Sequence, residues 1–452
     1  YLGSAEFVNH AREIIQEGYD KYQGRPFKIL MPDQKWIVMV TGEDMIDDIR
    51  KATDEYLELL EAFNEFMQTD YTMGKPIRIN LYHFDVVKTT LTGNISARFS
   101  DVRDEIVTAC AEEIPATEDW VSYPALSTAL KVVCRTTNRF LVGLNFIHLN
   151  LNIEFAGDVF KAAGIITLFP DFLQPIVGII VSPLERTLRR AMGHLDPIIQ
   201  DRMNDYDQYD GDWPDKPNDL ITWLLDENPQ GEYCTVRDLI MRVLEINLAA
   251  IHPTLYTNSL FQLAIQPPEV VAALRAEIES VIKQYRWTKV AVGHLHLLDS
   301  FMKEVSRLMG TNASVIDRKV LKDFTFSDGT TVPVGYRIAV PGYALHREKD
   351  RYQDASKFKP FRFADMRSKD GQGIKHHMFT PSPDFLPFGT GKHACPGRFF
   401  SVNSIKSLFA HTLLTYDVKL EGDKKEIPEP VWFGRDTGPN RTAKILFRKR
   451  KF

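Results

Sequence analysis

Between residues 84 and 307 apolar side chains recur mostly at spacings of three and four, the period of helices with one buried face. The pattern predicts helices over residues 102–113, 124–142, 184–206, 219–227, 236–264, 268–285 and 296–309. Upstream, Met45, Ile49, Tyr56, Leu59, Leu60 and Phe63 stand among acidic residues at the same period and predict an amphipathic helix over residues 44–67. The run KWIVMV at residues 35–40 predicts a short strand ahead of it. Past residue 307 the texture changes. Residues 320–326 and 337–340 read as strands around a Ser327-Asp328-Gly329-Thr330 turn, and AKILFR at residues 443–448 as a closing strand. The chain is therefore expected to be mainly α with small β-sheets. No apolar run reaches the roughly 18 residues of a membrane span. The nearest, residues 165–181, is interrupted by Pro170, Asp171 and Pro175, and a capped buried helix is preferred over an amphipathic surface segment.

Composition narrows the class. Over 452 residues, 44% hydrophobic and 25% charged side chains are the proportions of a folded protein, which excludes disorder and low-complexity architectures. Sixty acidic against 55 basic residues leave a net charge of −5, so no basic field exists for binding nucleic acid through its phosphates. Length alone suggests two to four domains, yet no Gly/Ser-rich linker divides the chain, and one domain over residues 1–452 is expected. Cysteines at 110, 134, 234 and 395 are too sparse for a disulfide framework. The acidic stretch NDYDQYDGDWPD at residues 204–215 lacks the spacing of a calcium loop and reads as a solvated connector. His294, His296 and the His376-His377 pair read as packing or surface residues rather than metal ligands.

One segment stands apart. Residues 388–397, FGTGKHACPG, form a glycine-punctuated loop that presents Cys395 just before a helix starting near Arg398. A cysteine there faces helix N-terminal amides and the charges of Lys392, His393 and Arg398, which favour thiolate. Gly389, Gly391 and Gly397 allow a flat partner to approach the backbone, and Pro396 suits a first helical turn.

This loop resembles the haem-binding signature of the cytochrome P450 haem-thiolate monooxygenases, Phe-x-x-Gly-x-(His/Arg/Lys)-x-Cys-x-Gly, with Phe388, Gly391, His393, Cys395 and Gly397 at its positions. The resemblance implies the P450 fold and haem b, with Cys395 as axial thiolate to the iron. It also implies that Phe388 shields the sulfur and that His393 and Arg318 lie near the propionates; Lys88 and Arg98 are further propionate candidates, because the family's tryptophan-bearing helix has no clear counterpart at residues 91–105. Two more motifs follow in family order. Glu304-Val305-Ser306-Arg307 resembles Glu-x-x-Arg, and Pro360-Phe361-Arg362 resembles Pro-x-Arg, together implying a buried Glu304/Arg307/Arg362 network. Ala344-Leu345-His346-Arg347 also matches the segment before that block.

The family's central helix carries a small residue, an acid and an alcohol that open space for dioxygen and relay protons. Its counterpart here is Ala249-Ala250-Ile251-His252-Pro253-Thr254, with His252 in place of the acid, Pro253 in place of the alcohol and Thr254 one position on. Pro253 removes an amide that would bond the carbonyl of Ala249, which predicts a kink. His252 and Thr254 are the candidate catalytic residues, against a bent helix with a structural histidine. By resemblance the substrate pocket draws on residues 66–83, 248–258, 310–315 and 433–437, with Ala249, Ala250, Pro253 and Ser314 as candidate lining. Its mixed apolar and polar composition suits a lipophilic natural product such as a terpenoid, steroid or alkaloid.

The nearest resemblance is to microsomal members from filamentous fungi, which implies secondary metabolism, an N-terminal anchor ahead of this chain, and the cytosolic face of the endoplasmic reticulum membrane. Electrons would come from NADPH through NADPH–cytochrome P450 reductase, with cytochrome b5 as a second candidate donor, docking near Lys392, Arg398 and Lys406. Two other readings stay open: a redox-neutral haem-thiolate isomerase or dehydratase acting on a peroxide or epoxide, suggested by Pro253, and a non-catalytic haem sensor.

Overall fold

The computed structural model describes residues 2–33, 35–143, 150–251, 253–369 and 373–451. Its helices of eight residues or more are α1 (Leu2–Lys21), α2 (Glu43–Lys51), α3 (Leu59–Met67), α4 (Phe99–Glu113), α5 (Ala125–Leu141), α6 (Asn150–Ile166) and α7 (Gln174–Val181). They continue with α8 (Leu184–Gln208), α9 (Val236–Ala250), α10 (Pro253–Ala264), α11 (Pro268–Tyr285), α12 (His296–Leu308) and α13 (Arg398–Thr415). Apart from α1, α2 and α7 they turn apolar side chains to one core, where Ile106, Val132, Leu244, Phe261, Phe301 and Phe409 are fully buried. Phe301 of α12 stacks on Phe409 of α13 at 5.8 Å, and Tyr256 of α10 bonds the Thr412 hydroxyl at 2.7 Å, which locks these three helices together.

Strands β1 (Phe27–Leu30), β2 (Trp36–Met39), β3 (Leu57–Glu58), β5 (Val315–Val320) and β8 (Arg337–Val340) form a sheet in the order β1-β2-β8-β5-β3. Only β2 and β8 pair in parallel. A second core of Val38, Ile46, Ile49, Leu57, Val320 and Ile338 fixes α2 against this sheet. Elsewhere β4 (Val121–Pro124), β9 (Tyr416–Leu420) and β12 (Lys444–Lys449) make a three-stranded sheet, and β6 (Phe324–Thr325) and β7 (Thr331–Val332) flank the turn at residues 327–330. The hairpin of β10 (Val431–Phe433) and β11 (Asp436–Gly438) completes the set.

Mainly α with small sheets is thus the observed class. Three expectations need correction. The helix expected over residues 44–67 is two helices, because Leu57 leaves helical register to pair with Val320. The strand expected at 320–326 is split: β5 ends at Val320 and begins earlier, at Val315, with a register shift before Arg318. Residues 165–181 lie at the surface rather than packed. Phe172, Ile179 and Ile180 are each about three-quarters exposed, at 76%, 77% and 76%, while Gly178 lets α7 rest on the Tyr71 ring, which a Cβ there would strike at 2.5 Å. Among the described residues no helix is long and apolar enough to cross a membrane.

Candidate functional site

The loop at residues 388–397 is held by its own backbone. Gly389 and Gly391 adopt φ of +70° and +62°, conformations that glycine takes without strain, and the Cys395 amide donates to the Phe388 carbonyl at 2.8 Å. A Cβ on Gly391 would meet the Arg50 side chain at 2.8 Å, so this glycine serves contact with α2. Gly397 caps α13, and a Cβ there would find only Val87 at 4.0 Å. Phe388 is half-buried against the main core. Arg398 donates to the Cys395 carbonyl at 2.7 Å and lies over the Phe399 ring.

The thiol of Cys395 departs from the sequence expectation. Burial outweighs everything else and pushes its pKa up, while the Gly397 and Arg398 amides and the Arg398 charge draw it down only in part. The protein alone therefore does not impose a thiolate; a bound cation must complete the ionisation.

Arg318 on β5 is 2% exposed, and its Nε has no partner. Among the described residues its only side-chain hydrogen bond goes to the carbonyl of Asp317, and burial draws its pKa down to about 10. A buried guanidinium so poorly paired fits an anionic ligand group. Its charge also helps to lower the His393 pKa, behind burial, which places the two near each other. His393 Nε2 lies 2.7 Å from Asp54, and Lys392 pairs with the same carboxylate at 2.8 Å. Lys88 is exposed on the π-helical turn Val86–Leu91. Arg98 is already engaged by the carbonyls of Asn218 and Arg139 and by Asp101, which removes it from the propionate candidates. Lys406 is likewise corrected: it is 3% exposed and pairs with buried Asp299 at 2.9 Å, so it belongs to no docking surface.

Behind the loop, Glu304 accepts from Arg307 Nε and NH2, both at 2.8 Å, from Arg362 Nε at 3.0 Å and from the Lys359 amide at 3.0 Å. Arg307 also donates to the Ala355 carbonyl at 2.7 Å, and Arg362 to the Lys357 carbonyl at 3.1 Å. All three side chains are buried.

The central helix is broken: α9 stops at Ala250, Ile251 leaves helical geometry at ψ 102°, and α10 restarts at Pro253. Ala249 is exposed although the rest of α9 is mostly buried, so it borders open space; Ala250, Pro253 and Thr254 are half-buried there. His252 lies outside the described residues. Ser314 is buried and accepts from Arg435 at 3.1 Å.

Residues 94–442 match the Cytochrome P450 family. Cytochrome P450 monooxygenase 151 from Postia placenta is 39% identical over 459 residues, covering 100% of this chain and 91% of the relative. Cytochrome P450 monooxygenase CYP512U6 from Ganoderma lucidum is 35% identical over 431 residues, 93% of this chain and 84% of that protein. Cytochrome P450 monooxygenase AN1598 from Emericella nidulans is 29% identical over 460 residues, 100% and 85%.

The chain belongs to the cytochrome P450 family. It is accordingly a P450 oxidoreductase of the haem-thiolate monooxygenase class. Sequence reasoning missed several polar residues of this P450. Arg435, from the β10–β11 hairpin, is 6% exposed, pairs with Asp317 and reaches Ser314 and the Phe66 ring. On α9, Asp238, Arg242 and Glu245 are buried together with His83 from the short helix Tyr82–Asp85. Charged residues at i, i+4 and i+7 of an apolar helix were the available signal; only the fold supplies His83.

Proposed function

We propose that this protein holds haem b through Cys395 and oxidises a lipophilic natural product of terpenoid, steroid or alkaloid type, using dioxygen and two electrons from NADPH delivered by a reductase. The observation that carries the reading is the presence together of a half-buried, amide-contacted cysteine at a helix N-terminus and the underpaired guanidinium of Arg318. When bound, thiolate-ligated haem supplies the oxygen activation. Arg318, with His393, holds the carboxylates of that group, and Phe388 excludes water from the sulfur. Gly391 and Gly397 keep the loop in shape. The Glu304/Arg307/Arg362 network fixes the backbone behind the loop. Ala249, Ala250 and Pro253 border the space for dioxygen and substrate, with Thr254 offering a hydroxyl and Ser314 lining the far wall. We take residues 1–452 as one catalytic domain. The exposed apolar side chains of residues 165–181 support contact with a membrane, in keeping with the cytosolic face of the endoplasmic reticulum. A reductase, or cytochrome b5, would meet Lys392, which is 48% exposed.

The test is the reduced carbon monoxide spectrum of wild type and Cys395→Ala, combined with a screen of the three substrate classes under NADPH and a reductase. The strongly red-shifted Soret band should vanish in the variant. Its persistence would remove Cys395 as ligand. The helix break at Pro253 favours one second reading, a redox-neutral rearrangement of a peroxide or epoxide. Product formed without NADPH would select it.

A further inference from the structure

Asp238, Arg242, Glu245 and Ala249 stand at i, i+4, i+7 and i+11 of α9, so they share one stripe of the helix. The stripe runs from buried ionisable groups to the open space at Ala249, and Glu245 lies one turn, about 6 Å of rise, before that point. Arg242 donates to Asp238 at 2.7 Å, to the Asn80 carbonyl at 2.8 Å, and contacts His83 Nδ1 at 2.5 Å. A guanidinium has no lone pair, so Nδ1 must be the accepting nitrogen and the proton of neutral His83 sits on Nε2. That N–H faces Glu245, with 2.8 Å between Nε2 and Oε2 in an alignment short of a full hydrogen bond. Glu245 is 7% exposed and its Oε2 has no hydrogen-bond donor. The segment bearing His83 continues to Val87, which reaches Gly397 of the cysteine loop.

We propose that Glu245 is the acid that delivers protons on the dioxygen side of a helix whose broken centre has His252 in place of the family's acid and Pro253 in place of its alcohol, with His83 as the positioning residue of Glu245. The inference rests on the monooxygenase reading above. The overall balance is R–H + O2 + 2e⁻ + 2H⁺ → R–OH + H2O, with the electrons from NADPH. Glu245 gives up its carboxyl proton toward the site of O–O cleavage and regains one from hydronium in the open space at Ala249. Arg242 stays charged and holds His83 in the tautomer that orients the carboxyl.

The test uses holoenzyme reduced and bound to carbon monoxide. The infrared C–O stretch reads polar groups on the dioxygen side without turnover. Glu245→Gln should shift that stretch and remove its sensitivity to D2O. His83→Ala should shift it likewise, whereas His83→Gln, which keeps a donor at the Nε2 position, should restore the wild-type value. In turnover, Glu245→Gln should lower product per electron pair by roughly 10², the usual contribution of general acid catalysis, with the electrons appearing as peroxide. An unchanged C–O stretch in Glu245→Gln overturns the proposal. So does normal coupling in Glu245→Gln alongside uncoupling in Thr254→Ala. If wild type forms product without NADPH, the monooxygenase reading fails instead, and the C–O stretch still reports separately whether Glu245 faces the site.

Discussion

Replacing Glu304 by alanine removes one carboxylate and strands four donors at once. Arg307 loses both bonds to it and Arg362 loses one, while the Lys359 amide is left without a side-chain acceptor. Each arginine keeps backbone carbonyls, Ala355 for Arg307 and Lys357 for Arg362, so neither is stripped bare, but two positive charges remain buried without a counterion. Breaking a buried pair costs about 3–5 kcal/mol, and with two cations affected the upper end applies. Against a net stability on the order of 5–15 kcal/mol, this is a third of the total or more. Glu304→Gln should do little better, because its NH2 points a donor at guanidinium donors. The assay is the urea midpoint by far-UV circular dichroism, with haem content per chain measured alongside. The exposed Arg12–Glu13 pair is the control, and Glu13→Ala should cost ~1 kcal/mol or less. A loss in Glu304→Ala no larger than that control would refute the network's role in stability.

Three further outcomes are expected. Thr254→Ala should lower the ratio of product to NADPH consumed; an unchanged ratio removes its hydroxyl from the proton route. Lys392→Glu should slow reduction by the reductase and weaken the salt dependence of that step while substrate binding persists; unchanged kinetics would put the docking surface elsewhere. Burial, together with the charges of Arg307, Arg347, Arg351 and Lys303, draws the His346 pKa down to about 3, and its Nε2 accepts the Leu386 amide at 3.2 Å. Between pH 6.5 and about 3 the unfolded chain then binds a proton that the folded one refuses, so stability falls as pH drops through this window, by up to ~1.4 kcal/mol per pH unit. Urea midpoints from pH 7 to 4 should show a shallower slope in His346→Gln, and an identical slope would count against a neutral buried imidazole.

Apolar spacing made α11 legible: expected at residues 268–285, it spans Pro268–Tyr285, whereas α1 and α6 were not anticipated. Errors arose where a tertiary partner overrode the local period. Leu57 continues the apolar spacing of its neighbours, yet its backbone pairs with Val320, more than 250 residues away, and nothing nearby in sequence announces that. Residues 165–181 went wrong for a different reason. Apolar content predicts burial only when a partner surface exists, and among the described residues Phe172, Ile179 and Ile180 remain about three-quarters exposed.

The candidate site divides along the same line. Cys395, Glu304, Arg307 and Arg362 sit in short motifs whose spacing carries their chemistry, and the structure brings the last three within hydrogen-bonding distance. Lys406 shows the limit of reading charge from proximity in sequence: it follows Cys395 on α13, but a helix turns about 100° per residue, and its side chain points inward to Asp299 rather than out beside Lys392. The polar stripe of α9 shows the converse. Asp238, Arg242 and Glu245 fall on a face that must be buried, and burying three ionisable side chains is tolerated only if they pair with and orient one another. Asp238 compensates Arg242, Arg242 fixes the His83 tautomer, and His83 turns its one N–H to Glu245. Asp238 and Arg242 pair with each other, so the Glu245 carboxyl is the group left without a full hydrogen-bond partner, at the end of the stripe that opens toward Ala249. A helix that had only to pack would carry an apolar residue at that position. The cost of burying an ionisable side chain there is the physical reason to look for its function in proton transfer rather than in stability.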